Sequence, residues 1–158
     1  MRWPPRPGAW MLTAGVVLWV AAILFAPRAI GSGVRLLSTG ATAIYAAGHF
    51  VCHQRPDRCF FIDGRPMPVC ARCAGLYAAA AAAAPLALLF GATSSSTRAR
   101  RLLFIAAIPT VLTWAAEYAG LAHFSNAARF SAALPLGCAA AWLVLSTVLE
   151  PPLHRKGH

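Results

Sequence analysis

The chain has 158 residues, of which 59% are apolar and only 11% are charged. A soluble domain is typically about 45–50% apolar and about 25% charged, so the composition excludes an ordinary soluble domain and indicates a lipid bilayer as the solvent. The net charge of +10 comes mainly from 13 arginines, which lie in short segments between apolar runs. Basic loops beside membrane helices explain that distribution, and we therefore expect no nucleic-acid partner.

The first predicted element is a membrane helix over residues 10–26, flanked by Arg2, Arg6 and Arg28. A cleaved signal peptide is the alternative, but no small-residue cleavage site follows the run. Residues 36–52 form a weaker apolar run that contains several Ser, Thr and Gly residues. We favour a helix packed inside the bundle, because small residues let helices approach closely. A helix that lies partly in the membrane interface is the alternative.

Residues 51–69 form the long polar stretch of the chain, with the sequence VCHQRPDRCFFIDGRPMPV. Its three prolines disfavour a helix, and Asp63-Gly64 is a strong turn signal. The stretch is predicted to be a loop at the membrane surface.

Three further membrane helices are predicted after this loop, at residues 70–90, 102–121 and 130–149. Crossing the hydrocarbon takes about 17–25 residues of helix, and each run is long enough. The alanine run at residues 78–84 favours a thin helix that packs closely, within one chain or between two copies in a homo-oligomer. The chain, residues 1–158, is thus predicted to be one all-α transmembrane domain of four or five helices, with the lipid bilayer as its main partner.

Orientation is predicted from the basic residues. The positive-inside rule places the arginines at 98–101 and the basic tail at 155–156 in the cytoplasm, so the loop at 51–69 would face away from it. The bias is small, because this loop itself contains Arg55, Arg58 and Arg65.

Four of the five cysteines lie within one 22-residue stretch, at positions 52, 59, 70 and 73. His49 and Cys52 are three residues apart near the end of one predicted helix, so they share a helix face. Cys70 and Cys73 have the same spacing at the start of the next helix. Cys138 stands alone in an apolar run and is interpreted as a small core residue.

This spacing favours a tetrahedral site for a soft metal ion, with zinc as the expected ion. Cys52, Cys70 and Cys73 are the predicted thiolate ligands, and His49 or His53 is the predicted fourth ligand. The start of a helix favours thiolates, which metal binding needs. Four protein ligands would make the site structural, whereas three would leave a position for water and hydrolytic chemistry.

The same cysteines are also compatible with roles other than metal binding. A Cys-x-x-Cys pair at a helix start is the arrangement of thiol-disulfide exchangers, so a membrane oxidoreductase using Cys70 and Cys73 is an alternative. Cys52 or Cys59 would then belong to a second pair. Structural disulfides are expected if the loop faces an oxidising compartment, and inert thiols are a further alternative.

Arg72, Glu117 and Arg129 are ionisable residues in or near the predicted spans, where charge is costly and often functional. Snorkelling to the interface is the alternative interpretation. In a catalytic metal site, Glu117 is the candidate general base and Arg72 a further candidate catalytic residue. If the three residues instead line a polar path, a transporter or lipid-handling bundle is expected.

Two motifs, at residues 52–58 (CHQRPDR) and 68–77 (PVCARCAGLY), resemble those of an uncharacterised family of small prokaryotic membrane proteins, labelled domain of unknown function 2085. The resemblance continues loosely at residues 125–129, before the last helix. Cys59 stands where the family usually has Ser, Ala74 where it has Thr, and Glu117 near a common Asp. The resemblance implies a multi-span protein of a prokaryotic cell membrane with a Cys/His/Arg motif. It implies no activity, and it places Cys59 outside any family-wide site.

Overall fold

Five α-helices and one β-hairpin make up the fold in a computed structural model, which describes residues 7–90 and 96–149. The helices are α1 (Pro7–Ala29), α2 (Arg35–Val51), α3 (Ala71–Phe90), α4 (Ser96–Tyr118) and α5 (Asn126–Leu149). Between α2 and α3 lie a 3-10 turn (Pro56–Arg58) and the strands β1 (Cys59–Ile62) and β2 (Arg65–Cys70). Among the described residues, α1, α3, α4 and α5 are long and apolar enough to cross a membrane. The predicted helical membrane bundle is therefore confirmed.

Helix α3 occupies the middle of the bundle, where it packs along α5 and also contacts α1, while α4 packs on α5. The backbones of α3 and α5 approach so closely that a Cβ at Gly75 would overlap the carbonyl oxygen of Phe130. A Cβ at Gly137 would likewise overlap the carbonyl oxygen of Leu76. Small residues permit this contact, because lipid supplies no hydrophobic force to press helices together and close packing must replace it.

The bundle has two ends that differ in structure. At one end, Ala9 of α1 packs with Ala84 of α3 and Leu145 of α5. At the other end, Ile23 of α1 packs with Val69 of the hairpin and Ala74 of α3. We call the second the hairpin end. The start of α3 and the turn between α4 and α5 both lie at this end. In the described part of the chain, the polar segments that connect α2 to α3 and α4 to α5 are therefore neighbours.

Helix α2 runs across the hairpin end. Ala41, in the middle of α2, packs on Ala26 and Ala29 in the last turns of α1. Cys52, directly after α2, lies in the same apolar cluster as Ile23 of α1, which is within two turns of Ala29. If α2 instead ran back alongside α1, its 17 residues would extend by about 1.5 Å each. Cys52 would then lie towards the end of the bundle opposite the hairpin end. The structure thus favours the interfacial alternative for residues 36–52.

The segment predicted as a surface loop, residues 51–69, contains the antiparallel hairpin of β1 and β2. Asp63 and Gly64 form its turn with positive φ angles of 51° and 75°, the backbone that a tight two-residue hairpin turn needs. Pro66 and Pro68 disfavour a helix, but they do not exclude a β-strand. In a two-stranded sheet each strand has one free edge, so proline is tolerated there.

Candidate metal centre

Three cysteines from three different elements meet at the hairpin end. Cys52 follows α2, Cys70 ends β2 and Cys73 lies in the first turn of α3. Their sulfur atoms all lie within 4.8 Å of one another, and the group could hold a metal ion. All three are free thiols in the structure. Zinc–sulfur bonds are about 2.3 Å long, so small side-chain rotations would let the three sulfurs reach one ion. We call these three residues the cysteine cluster.

Gln54 shapes the backbone that brings Cys52 to the other two cysteines. Its φ of 49° turns the chain sharply after α2, a conformation that is uncommon for a residue other than glycine. The side-chain amide donates hydrogen bonds to the carbonyl oxygens of Tyr45 (2.7 Å) and Pro68 (2.8 Å). These bonds tie the last turns of α2 to strand β2, two residues before Cys70.

Gly48 allows α2 to approach β2 closely enough for these bonds. A Cβ at Gly48 would overlap the carbonyl oxygen of Pro68 and lie 2.8 Å from the Gln54 amide nitrogen. Tyr45 adds a further tie, since its hydroxyl donates to the carbonyl oxygen of Pro66. The end of α2 is therefore fixed against the hairpin by one close contact and three hydrogen bonds.

The surroundings of Cys52 favour a thiolate. The backbone N–H of Cys70 donates to the Cys52 sulfur at 3.1 Å. Hydrogen bonds from the Cys70 and Cys73 thiols and from backbone amides lower the pKa of Cys52, outweighing the opposite effect of burial. Burial, reinforced by the neighbouring Cys70, raises the pKa of Cys59 to about 11. Cys59 is thus a neutral buried thiol beside the cluster, while Cys52 is a cluster thiol whose hydrogen bonds favour the thiolate form.

The predicted fourth ligand is a histidine, either His49 or His53. Among the described residues, neither His49 nor His53 belongs to the group of close ligand atoms. Both side chains are exposed. A histidine ligand at this site stays a prediction.

Glu117 lies between two arginines beside the cysteine cluster. One carboxylate oxygen accepts a hydrogen bond from Arg72 Nη2 at 2.8 Å, and the other accepts from Arg129 Nε at 2.7 Å. The Glu117 side chain is only 4% exposed. Arg72, Glu117 and Arg129, which we call the ion triad, join α3, α4 and α5 with a formal charge of +1. The structure therefore brings together the three ionisable residues that the sequence analysis singled out.

Asn126 links the ion triad to the hairpin, and the sequence indicated it only as one of residues 125–129, where the family resemblance is loose. The side-chain oxygen Oδ1 of Asn126 accepts a hydrogen bond from Arg129 Nη1 at 2.8 Å. The side-chain nitrogen Nδ2 donates to the backbone carbonyl oxygen of Cys59 at 2.9 Å. The available signal was a polar residue at the start of an apolar helix, three residues before an arginine. Its partner in the hairpin lies 67 residues away in the chain, which no local pattern reveals.

An apolar cleft of about 260 Å³ lies next to the cluster, between α1, the hairpin, α3 and α5. Met67 and Ala74 line this cleft and also belong to the apolar core that surrounds Cys52. The cysteine cluster is therefore set into apolar packing on one side.

Sequence comparisons place the chain among membrane proteins whose activity is unknown. Residues 52–143 match the profile of a family described as "Predicted membrane protein (DUF2085)". An uncharacterized protein of Methanothermobacter thermautotrophicus is 33% identical over 101 residues, which are 64% of this chain and 88% of the relative. An uncharacterized protein of Methanocaldococcus jannaschii is 56% identical over 34 residues, 22% of each chain. No solved structure matches the chain.

Proposed function

This chain belongs to the DUF2085 family of predicted membrane proteins, and we propose that it binds one zinc ion through the thiolates of Cys52, Cys70 and Cys73. The observation that carries the proposal is the convergence of the three sulfur atoms within 4.8 Å. Soft thiolate ligands in a tetrahedral arrangement favour zinc over harder divalent ions.

The surroundings support metal binding in two further ways. The backbone N–H bond from Cys70 to the Cys52 sulfur (3.1 Å) is the type of outer hydrogen bond that orients a ligand and tunes its basicity. The buried ion triad supplies a formal charge of +1. Three thiolates and one divalent ion carry a net charge of −1, so the triad and the centre together are neutral. Neutrality matters here because isolated charge is costly near a bilayer.

The fourth coordination position decides between a structural and a catalytic centre. A fourth protein ligand, such as His53 or His49, closes the centre and makes it a structural tie between α2, the hairpin and α3. A water molecule in that position leaves a centre that activates water. Glu117 would have to release one of its arginines to act as a general base. In this proposal it serves as the counter-charge of Arg72 and Arg129.

Metal analysis of the purified protein in mild detergent tests the proposal. We expect about one zinc per chain in the wild type, and loss of that zinc in Cys70→Ser, because a thiolate ligand is removed. Cys138→Ser is the matched control: it removes a thiol that is exposed and outside the cluster, and it should keep the zinc.

Two results would contradict a metal centre. One is a wild-type protein without metal after expression in zinc-supplemented medium. The other is equal zinc in the wild type and in Cys70→Ser. A metal-free protein with a disulfide between Cys70 and Cys73 would support the thiol oxidoreductase instead.

A further inference from the structure

We propose that Asn126 is a positioning residue of the metal centre: its side-chain amide ties the start of strand β1, opposite Cys70, to α5 and connects that strand to the ion triad. The inference rests on the proposed metal-binding function. It assigns a role to a residue that contacts no metal ligand through its own side chain.

The first connection runs through the hairpin. The Asn126 amide nitrogen donates to the carbonyl oxygen of Cys59 at 2.9 Å. Cys59 is the direct partner of Cys70 in the antiparallel pairing of β1 and β2. A shift in the backbone of Cys59 therefore displaces the strand end that carries the Cys70 ligand. No other described hydrogen bond joins α5 to this strand end.

The second connection runs through the ion triad. The side-chain oxygen Oδ1 of Asn126 accepts a hydrogen bond from Arg129 Nη1 at 2.8 Å, and Arg129 Nη2 lies 2.6 Å from a Glu117 carboxylate oxygen. The other Glu117 oxygen binds Arg72 at 2.8 Å. Arg72 lies between Cys70 and Cys73 in the sequence, so the triad holds the start of α3. Both ends of the Cys70–Cys73 segment are thus restrained by one network, through β1 and through Arg72.

Asparagine is the residue type that this position requires. The network needs a donor towards the Cys59 carbonyl and an acceptor towards the Arg129 guanidinium, and a side-chain amide supplies one of each. An aspartate keeps the acceptor and has a similar shape, but it offers no donor and would face a carbonyl oxygen with negative charge. Asn126→Asp therefore removes the connection to the metal centre and retains the one to Arg129.

The substitution is also compatible with the helix. Asn126 is the first residue of α5, and a negative charge in the first helical turn is favourable. Any loss of metal affinity in Asn126→Asp can therefore be separated from loss of the fold. Asn126→Ala, which removes both connections without adding charge, is the second variant.

Asp63→Asn is the matched control on the same hairpin. Asp63 pairs with Arg28 at 3.1 Å, with both side chains more than half exposed. This ion pair ties the tip of the hairpin to the end of α1, away from the Cys59–Cys70 end. Exposed ion pairs contribute little, and we expect the control to bind metal like the wild type.

The experiment measures zinc affinity of the full-length protein by competition with a chromophoric chelator, and the Co(II) thiolate charge-transfer spectrum of the same variants. Outer-shell changes typically weaken metal binding by about 10–100-fold, and we expect Asn126→Asp to lose about tenfold or more. Its Co(II) spectrum should shift, while the melting temperature of the metal-free protein stays near that of the wild type.

The outcomes separate the inference from the function on which it rests. Wild-type affinity and an unchanged Co(II) spectrum in both Asn126 variants would overturn the positioning role, while zinc binding that depends on Cys70 would leave the proposed function standing. Equal losses of affinity in Asn126→Asp and Asp63→Asn would also overturn it, since any loosening of the hairpin would then suffice. Absence of metal from the wild type would overturn both.

Discussion

Gly48 shows how a single residue sets the geometry of the cysteine cluster. It is buried on the side of α2 that faces the hairpin, where the Pro68 carbonyl oxygen and the Gln54 amide occupy the space of a side chain. Because the nearest of these atoms, the Pro68 carbonyl oxygen, belongs to the backbone, a rotamer change cannot relieve the overlap. The position of Cys52 relative to Cys70 therefore depends on the absence of a Cβ at Gly48.

Gly48→Ala is predicted to destabilise the fold by about 1–3 kcal/mol, the usual cost of overpacking, and to weaken zinc binding. Gly40→Ala is the control in the same helix, since a Cβ there meets no atom within 4 Å. The control should be neutral or stabilised by up to about 1 kcal/mol, because alanine is the better helix former. Thermal unfolding in detergent checks both variants. Equal unfolding midpoints for Gly48→Ala and Gly40→Ala would contradict the role assigned to Gly48.

Residue roles were only partly predictable from the sequence. The spacing of Cys52, Cys70 and Cys73 was sufficient to predict their convergence, because helix periodicity and a short connection restrict where they can lie. Gln54 and Asn126 act through hydrogen bonds to backbone carbonyls 14 and 67 residues away. Every residue has a backbone carbonyl, so the amino-acid sequence does not indicate which carbonyl a given side chain will bind.

At the scale of elements, the long apolar runs specified α1, α3, α4 and α5, because about 20 apolar residues have few stable alternatives to a membrane helix. The run at residues 36–52 contains more small and polar residues, and its apolar content alone fits both a span and an interfacial helix. Its packing favours the interfacial placement, since Ala41 packs on Ala26 and Ala29 and Cys52 lies in one cluster with Ile23, all in the last two turns of α1. The turn signal at Asp63-Gly64 was correct, but the hairpin was not predicted, because the prolines were taken only as evidence against a helix and the segment was interpreted as a loop.

The placement of α2 leads to a prediction about membrane sides. One additional cysteine at a time is introduced at Ser32, Asp57 or Arg98 in a Cys138→Ser background, which keeps the four native cysteines of residues 52–73. Labelling of each variant with a membrane-impermeant maleimide is compared with labelling of the background alone. If α2 lies across the hairpin end, Ser32→Cys and Asp57→Cys should react from the same side, and Arg98→Cys from the opposite side.

The labelling experiment also tests orientation. We expect the Ser32 and Asp57 positions to react in intact cells and the Arg98 position only after permeabilisation, because the arginines before α4 favour the cytoplasm. Labelling of Ser32→Cys together with Arg98→Cys would mean that α2 spans the membrane. Labelling of Arg98→Cys alone in intact cells would reverse the orientation and leave the placement of α2 intact.

At the scale of the whole molecule, parts of the site that are far apart in the sequence meet at one end of the bundle. The cysteine cluster comes from residues 52–73, while Glu117 and Arg129 come from α4 and α5. Close packing of α3 on α5 and of α4 on α5 brings these elements together. Because the cluster exists only in the folded chain, bound metal is expected to contribute its binding free energy to stability.

The most direct test of the metal centre is a count of reactive thiols on purified protein without reductant, before and after a strong chelator is added under mild denaturation. The chain has five cysteines, and the structure has all of them free. We predict that the three thiols of the cysteine cluster are protected before the chelator is added and that all five react afterwards. Two thiols that react only after reduction would contradict the metal centre and establish a disulfide in its place.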